Sequence, residues 1–403
     1  MIDNTKKIRL HDRILNTITY VFSSFELIIL ILILFFIFSN GLKGFSFKML
    51  VSDYYEKPYF ASCTKTIDYE FELVNNNGVY YSTKWGIGLK ESKDFSNNDA
   101  VEIVYIDNLS PLRNAKNISN STHADIMVGQ IIKRIQVENE DGSLSILTTK
   151  DKAEKMVLAL DQGVSINEIY YSTIGGGIRG SLITTFYLIV LTLIIALPLG
   201  IMAAIYLSQY APNNRFTNLI RSLIDMTSGI PSIIFGLIGM IVFIPFVNSI
   251  SNRSGGSIVS GALTLSIMLL PIIIRTTEES INAIPSSYKM ASLGLGASYV
   301  QTMFKIIIPS ALPGIITSIF LSIGRIIGES AALIFAVGTS IKDNISIFGS
   351  STSLAVHIWT SISGEKPNLE HACAISIIIL SVVLILNIAV KLLSNKLLSK
   401  GGR

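Results

Sequence analysis

The sequence predicts an all-α polytopic membrane protein with six transmembrane helices and a strand-rich α+β insert domain between the first and second helices. Three observations predict it. Half of the 403 residues are hydrophobic and 15% are charged, well below the roughly one quarter usual in soluble domains. Six apolar runs lie near 21–39, 181–208, 219–247, 257–275, 311–338 and 372–393, and about 20 helical residues suffice to cross a hydrocarbon core of about 30 Å. Between the first two runs the pattern changes to polar residues with alternating apolar positions. The chain therefore divides into an N-terminus with the first helix (1–40), an insert (41–172) and a five-helix core (173–403).

Lys and Arg set the orientation, because cytoplasmic loops carry the positive excess. Lys6, Lys7, Arg9, Arg13, Arg215, Arg221, Arg275, Lys289, Lys305, Lys391, Lys396, Lys400 and Arg403 flank the spans on one side, and Arg253, Lys342 and Lys366 on the other. Thirteen against three puts both termini in the cytoplasm and residues 41–172 outside. A basic stretch precedes the first run as in a secretory leader, but no small-x-small site follows at Phe38, Ser39 and Asn40, so the run is a retained span. Cys63 lies in a polar segment and Cys373 in the last apolar run; no disulfide framework follows, and both are expected as free thiols.

Within the insert, "TIDYEFELVNNNGVYYSTKWGIGL" predicts two strands joined by a turn at Asn77 and Gly78. "VEIVYIDNL" is a third strand, and "IIKRIQVENEDGSLSILTT" a hairpin turning at Asp141 and Gly142. "KDKAEKMVLALDQG" predicts a helix ending at Gly163. "GGGIRG" at Gly175–Gly180 matches a dinucleotide fingerprint in letters alone; it precedes a membrane span, sits in no βαβ unit, and is read as a flexible hinge. Sequons at Asn108, Asn117 and Asn120 matter only in a glycosylating secretory pathway.

Breakers interrupt the later spans: Pro198 in the second, Gly229 and Pro231 in the third, Pro271 in the fourth. Each is either a packing kink or a broken helix lining a cavity. Gly236 and Gly239 permit close helix approach. The chain carries no P-loop, no H-E-x-x-H and no G-x-S-x-G, and its four histidines at 11, 123, 357 and 371 are scattered. No catalytic activity, metal or cofactor of its own is therefore expected, and uphill transport would draw on an ion gradient or another subunit.

A long connection, 278–310, separates the fourth and fifth spans. Pro285 suits the first turn of a helix ending at Gly294 or Gly296, and Ser298 with Gln301 forms a capping box for a second helix. Two short helices at a glycine corner then make a rigid knob. The same residues resemble the EAA coupling loop of ABC importer permeases: Ala291 and Ser292 on the alanines, Gly296 on the glycine, Ile306 and Pro309 on the last motif. Met290 replaces the usual glutamate and Ile308 the usual leucine, with spacing kept. "SGIPSIIFGLIG", "LPIIIRTTEESINAIP" and "GRIIGESAALIFAVG" look like signature segments of the PstA subunit family of phosphate importers. The resemblance covers about residues 173–395 and the first span, and leaves the insert unexplained. It implies the type I ABC importer permease fold, a second homologous permease subunit, an ATP-binding cassette ATPase dimer docked on the loop through Tyr288, Met290, Ala291, Ser292, Gly296, Ile306 and Pro309, and an extracytoplasmic phosphate-binding protein. The lipid membrane is the setting, and no nucleic-acid partner is implied.

Arg325 falls midway along the fifth apolar run, where an isolated charge costs several kcal/mol. Glu329, four residues on, shares its helical face. Either the two neutralise each other and fix packing, or they face the path, where guanidinium binds oxyanion oxygens and a carboxylate accepts a hydrogen bond from a protonated phosphate. Arg275, followed by Thr276 and Thr277, is either a second path residue or an inner-side anchor. Glu278 and Glu279 are expected to cap the coupling loop, and Glu26 to serve structure. The leading reading is a phosphate importer permease; the alternatives are a permease for molybdate or sulfate, a membrane sensor with an outer ligand domain, and an independent ion-driven transporter.

Overall fold

A computed structural model describes residues 2–64, 70–71, 78–95, 98–118, 122–364 and 367–401, with backbone alone at 2–13 and 393–401. It divides into two compact units, a helical one of Met1–Ser46 with Gly180–Arg403 and a strand-rich one of Phe47–Arg179. In chain order α1 (Ile2–Gly44) comes first.

The strand-rich unit contains α2 (Phe47–Val51), β1 (Pro58–Thr64), β2 (Val79–Ser82), β3 (Ile87–Lys93), β4 (Asp99–Ile106), β5 (Lys116–Asn117), β6 (Ile131–Asn139), β7 (Leu144–Thr148), α3 (Lys152–Gln162) and β8 (Gly163–Ser172). The strands form one sheet in the order β2-β3-β4-β6-β8-β1-β5, with β7 paired to β6 off that path. The hairpin expected at Asp141 and Gly142 is present, pairing Arg134 with Thr148 through Glu138 with Leu144. The helix expected to stop at Gly163 does so, its last carbonyls taking the Gly163 N–H. Cys63 and Cys373 are both free and buried.

The first expected hairpin differs. Most of its leading strand, with Asn77, lies outside the described residues, as does the Asn120 sequon, and the described residues 70–71 are not in a strand. Residues 79–89, expected as one strand, form β2 and β3, which fold back on each other and pair Val79 with Lys90 through Ser82 with Ile87. Trp85 in the turn between them is fully buried, and its Nε1 donates to the Leu160 carbonyl at 2.8 Å. Burying an indole with its N–H satisfied by the end of α3 outweighs the local alternation that favoured a continuous strand.

The glycine run is not a hinge. The N–H groups of Gly176, Gly177, Ile178 and Arg179 donate to the carbonyls of Tyr54, Asp53, Met49 and Ser52. A Cβ at Gly177 would collide with the Ser52 carbonyl, so glycine here serves close backbone approach rather than freedom. Asp53 binds both Lys57 and Arg179 across the same junction.

The helical unit continues with α4 (Arg179–Ile205) ending in a π turn at Tyr206–Tyr210, α5 (Arg215–Thr227), α6 (Ser232–Ile238) passing through a π turn at Gly239–Phe243 into α7 (Ile244–Ser251), and α8 (Ile258–Asn282). After α9 (Ser286–Gly294), α10 (Tyr299–Thr302) runs through a π turn at Met303–Ile307 into α11 (Ile308–Gly328), followed by α12 (Ala331–Ala336), α13 (Leu354–Ser363) and α14 (Leu369–Gly401). Six helical segments among the described residues are long and apolar enough to cross a membrane: Ile14–Gly44, Arg179–Tyr210, Ser232–Ser251, Ile258–Asn282, Tyr299–Gly328 and Leu369–Leu392.

Two of these depart from the hydropathy reading. The run at 219–247 holds two helices, because Ser228 to Pro231 end the amphipathic α5 and Pro231 occupies the N-cap of α6. A proline here has fixed φ and no N–H to contribute, so it starts a helix rather than continuing one. The run at 311–338 stops at Gly328 and restarts at Ala331. Pro198 and Pro271, by contrast, lie inside unbroken α4 and α8. Gly236 serves close approach as expected: a Cβ there would stand 2.8 Å from the Cα of Ala332, so α6 and α12 meet backbone to backbone.

Candidate functional site

The break in the fifth apolar run places the two charges. α11 ends at Gly328, and Glu329 is its C-cap, with extended φ −78° and ψ 125°. Ser330 offers no side-chain cap to α12. Glu329 does this instead: its Oε1 accepts the N–H of Ala332 at 3.2 Å, the negative group at a helix start that the macrodipole favours. Its Oε2 lies 3.9 Å from Arg325 Nε, and side-chain exposure is 52% for Arg325 against 7% for Glu329. The pair is therefore not two residues of one continuous helix in mid-span, as the spacing predicted. It straddles a helix terminus, with the carboxylate built into the backbone and the guanidinium open.

Neighbouring elements fix that break. The Ala336 carbonyl accepts from Ser260 Oγ of α8 at 2.7 Å. Beyond α12, Thr184 and Ser351 hydroxyls share a bond of 2.7 Å, Thr185 Oγ1 accepts from the Leu354 N–H at 2.9 Å, and Ser181 Oγ meets His357 Nδ1 at 2.8 Å. These buried bonds satisfy polar groups where lipid offers none.

Arg275 is not joined to that pair by any hydrogen bond or ion pair among the described residues. Its Nη1 donates to Asp225 of α5 at 2.6 Å and its Nε to Glu279 at 3.2 Å. One helical turn on, Arg221 donates from Nε to Glu278 at 3.0 Å. Glu278 and Glu279 thus bind arginines that tie α5 to α8, in place of the expected capping of the coupling loop. The pairings of Arg221 with Glu278 and of Arg275 with Asp225 were missed, because nothing local in the sequence links positions 57 and 50 residues apart.

The coupling loop forms its first helix, α9, with Pro285 at the N-cap, one position before the expected first turn. Gly296 takes φ +84°, a left-handed conformation that makes the corner. The Ser298–Gln301 capping box is present, but the helix it starts is not separate: α10 flows into the fifth span. Tyr288, Met290, Ala291, Gly296 and Pro309 are exposed, Ile306 is half-buried, and Ser292 is buried with its hydroxyl 2.8 Å from that of Thr302. Met290 at 68% and Leu295 at 89% exposure make an apolar tip. Leu295 was missed, although a leucine between two glycines at a corner is a signal for exposure.

Residues 196–399 match the family described as binding-protein-dependent transport system inner membrane component. The probable ABC transporter permease protein YqgI of Bacillus subtilis is 36% identical over 241 residues, 56% of this chain and 80% of that protein. The phosphate transport system permease protein PstA 1 of Mycobacterium tuberculosis is 32% identical over 209 residues, 52% of this chain and 66% of that protein. A chain of the MetNI methionine ABC transporter superposes with TM-score 0.43 at 21% identity, covering 55% of this chain and 95% of that one. With the family match spanning half the chain and the B. subtilis relative covered over most of its length, this multi-pass membrane chain belongs to the binding-protein-dependent inner membrane component family and is an ABC importer permease subunit.

Proposed function

We propose that the chain is the permease subunit of an ATP-driven phosphate importer. It forms half of the path with a second homologous permease, docks on an ATPase dimer through α9 and its glycine corner, and receives phosphate from an extracytoplasmic binding protein. Both termini lie in the cytoplasm and the strand-rich unit lies outside, a reading that the distribution of Lys and Arg supports. The name of the M. tuberculosis relative supports phosphate as the cargo.

The observation that carries the reading is the open guanidinium of Arg325 beside the anchored carboxylate of Glu329. An oxyanion arriving at Arg325 competes with one oxygen at 3.9 Å, not with a closed bidentate pair, so the guanidinium has donors to give. Glu329 tempers the attraction and can accept a hydrogen bond from the O–H of a protonated phosphate, a balance that suits passage over storage. For Arg275, the bonds to Asp225 and Glu279 support the anchoring role over contact with the ion. Uptake of radiolabelled phosphate by cells carrying Arg325→Gln, with sulfate and molybdate as competitors, tests both the cargo and the residue.

A further inference from the structure

The five residues Tyr206–Tyr210 close α4 as a π turn, a wider turn that recurs at functional positions. Side chains of other elements converge on it. Arg221 of α5 donates from Nη2 to the Leu207 carbonyl at 2.6 Å while its Nε holds Glu278 of α8. Ser208 Oγ donates to Oδ1 of Asn282, the last residue of α8, at 2.6 Å. Lys289 of α9 donates from Nζ to Gln209 Oε1 at 3.0 Å and to the Tyr299 hydroxyl at 2.6 Å. That hydroxyl donates onward to the Gln209 carbonyl at 2.8 Å, and the Tyr299 ring meets Tyr210 edge-on with centroids 5.2 Å apart.

α9 has nine residues, too few to hold its place by helix formation alone. Among the described residues its side-chain hydrogen bonds go to Gln209, Tyr299 and Thr302. Tyr299 and Thr302 belong to the segment that α9 already joins through Gly296; Gln209 belongs to a different span. Lys289 is half-buried, and a charge-assisted bond there is stronger than a solvated one.

We propose that Lys289 is a positioning residue for transport: it fastens the coupling helix to the π turn, so that displacement of α9 moves α4 together with α8 and α11. This rests on the reading of α9 as the helix that docks on the ATPase. Lys289→Met keeps the side-chain stem and removes the ammonium. In the purified complex of this chain with its second permease and ATPase, it is expected to leave complex yield and ATP hydrolysis within about twofold of wild type, while phosphate moved per ATP falls by about tenfold, inside the range of measured coupling effects. Lys289→Arg, which keeps donors at the same place, is expected to recover most of that ratio, and Tyr299→Phe, which removes the bridging hydroxyl, to lower it. An unchanged ratio in Lys289→Met, or a fall in yield and hydrolysis that leaves the ratio intact, overturns the proposal. Failure of the docking reading is separately visible: Met290→Cys would then give no cross-link to the ATPase in the wild-type background.

Discussion

Arg325 Nε lies 3.9 Å from Glu329 Oε2, while Oε1 of the same carboxylate caps α12 through the Ala332 N–H at 3.2 Å. One side chain thus does two things, and substitutions separate them. Glu329→Gln keeps an oxygen for Ala332 and removes the charge; it is expected to assemble normally and to transport poorly. Glu329→Ala also loses the cap, which costs about 0.5–2 kcal/mol and should lower the thermal stability of the purified complex.

Arg325→Gln is expected to abolish phosphate uptake while co-purification with the ATPase is unchanged. Gln removes the charge and the multidentate donors that an oxyanion would use. Uptake at wild-type rates in this variant would reduce Arg325 to a packing role.

At the coupling corner, Gly296 has φ +84°. Gly296→Ala forces a Cβ into a left-handed conformation at about 1–2 kcal/mol, and Gly296→Glu is expected to uncouple the ATPase. Leu295, 89% exposed, should become buried on docking. Removing an apolar side chain of that size forfeits about 1.5–3 kcal/mol, so Leu295→Asp is expected to weaken ATPase binding at least about tenfold, read by titration of the ATPase onto the permease.

In the strand-rich unit, burial pushes the Cys63 thiol from 9.0 up to about 11, and its Sγ donates to the Pro111 carbonyl at 3.1 Å. The folded unit therefore holds this proton more tightly than the unfolded chain does. Its contribution is whole below pH 9.0 and is lost as pH rises toward about 11. Alkylation of Cys63, followed by mass spectrometry, is expected to be slow at pH 8 unless the unit is unfolded. Stability should fall across that alkaline window, and Cys63→Ala should flatten the fall.

The orientation is tested by placing a reporter on an exposed strand. Leu144 at the start of β7 is exposed, so Leu144→Cys in a Cys63→Ala background should react with an impermeant maleimide on intact cells. Protection until the cells are opened would place the strand-rich unit inside.

Hydropathy made the number of spans legible, because about 20 consecutive apolar residues have few other uses. It could not see backbone direction. Ser228 to Pro231 and Gly328 to Ser330 are short enough to be averaged away within an apolar window, yet Pro231 starts a helix and Glu329 ends one. A glycine followed by Glu and Ser was the available signal for the second break. In the insert, the hairpin with a tight turn at Asp141 and Gly142 was legible, whereas β1 and β8 were not: their pairing of Pro58 with Ser172 through Thr64 with Ser165 joins distant segments and leaves no local mark. The glycine run misled for a related reason, since close approach to Ser52 and Tyr54 depends on residues far from it in sequence. Likewise the bond from Lys289 to Gln209 spans 80 positions, and Lys289 in isolation gave only a flanking positive charge.

The measurement that bears most directly on the central claim is phosphate uptake into proteoliposomes holding this chain, its second permease and the ATPase, with ATP inside and loaded phosphate-binding protein outside. The account predicts ATP-dependent accumulation of phosphate that excess sulfate does not displace and that Arg325→Gln removes. Accumulation by this chain alone without ATP, or a preference for sulfate, would contradict it.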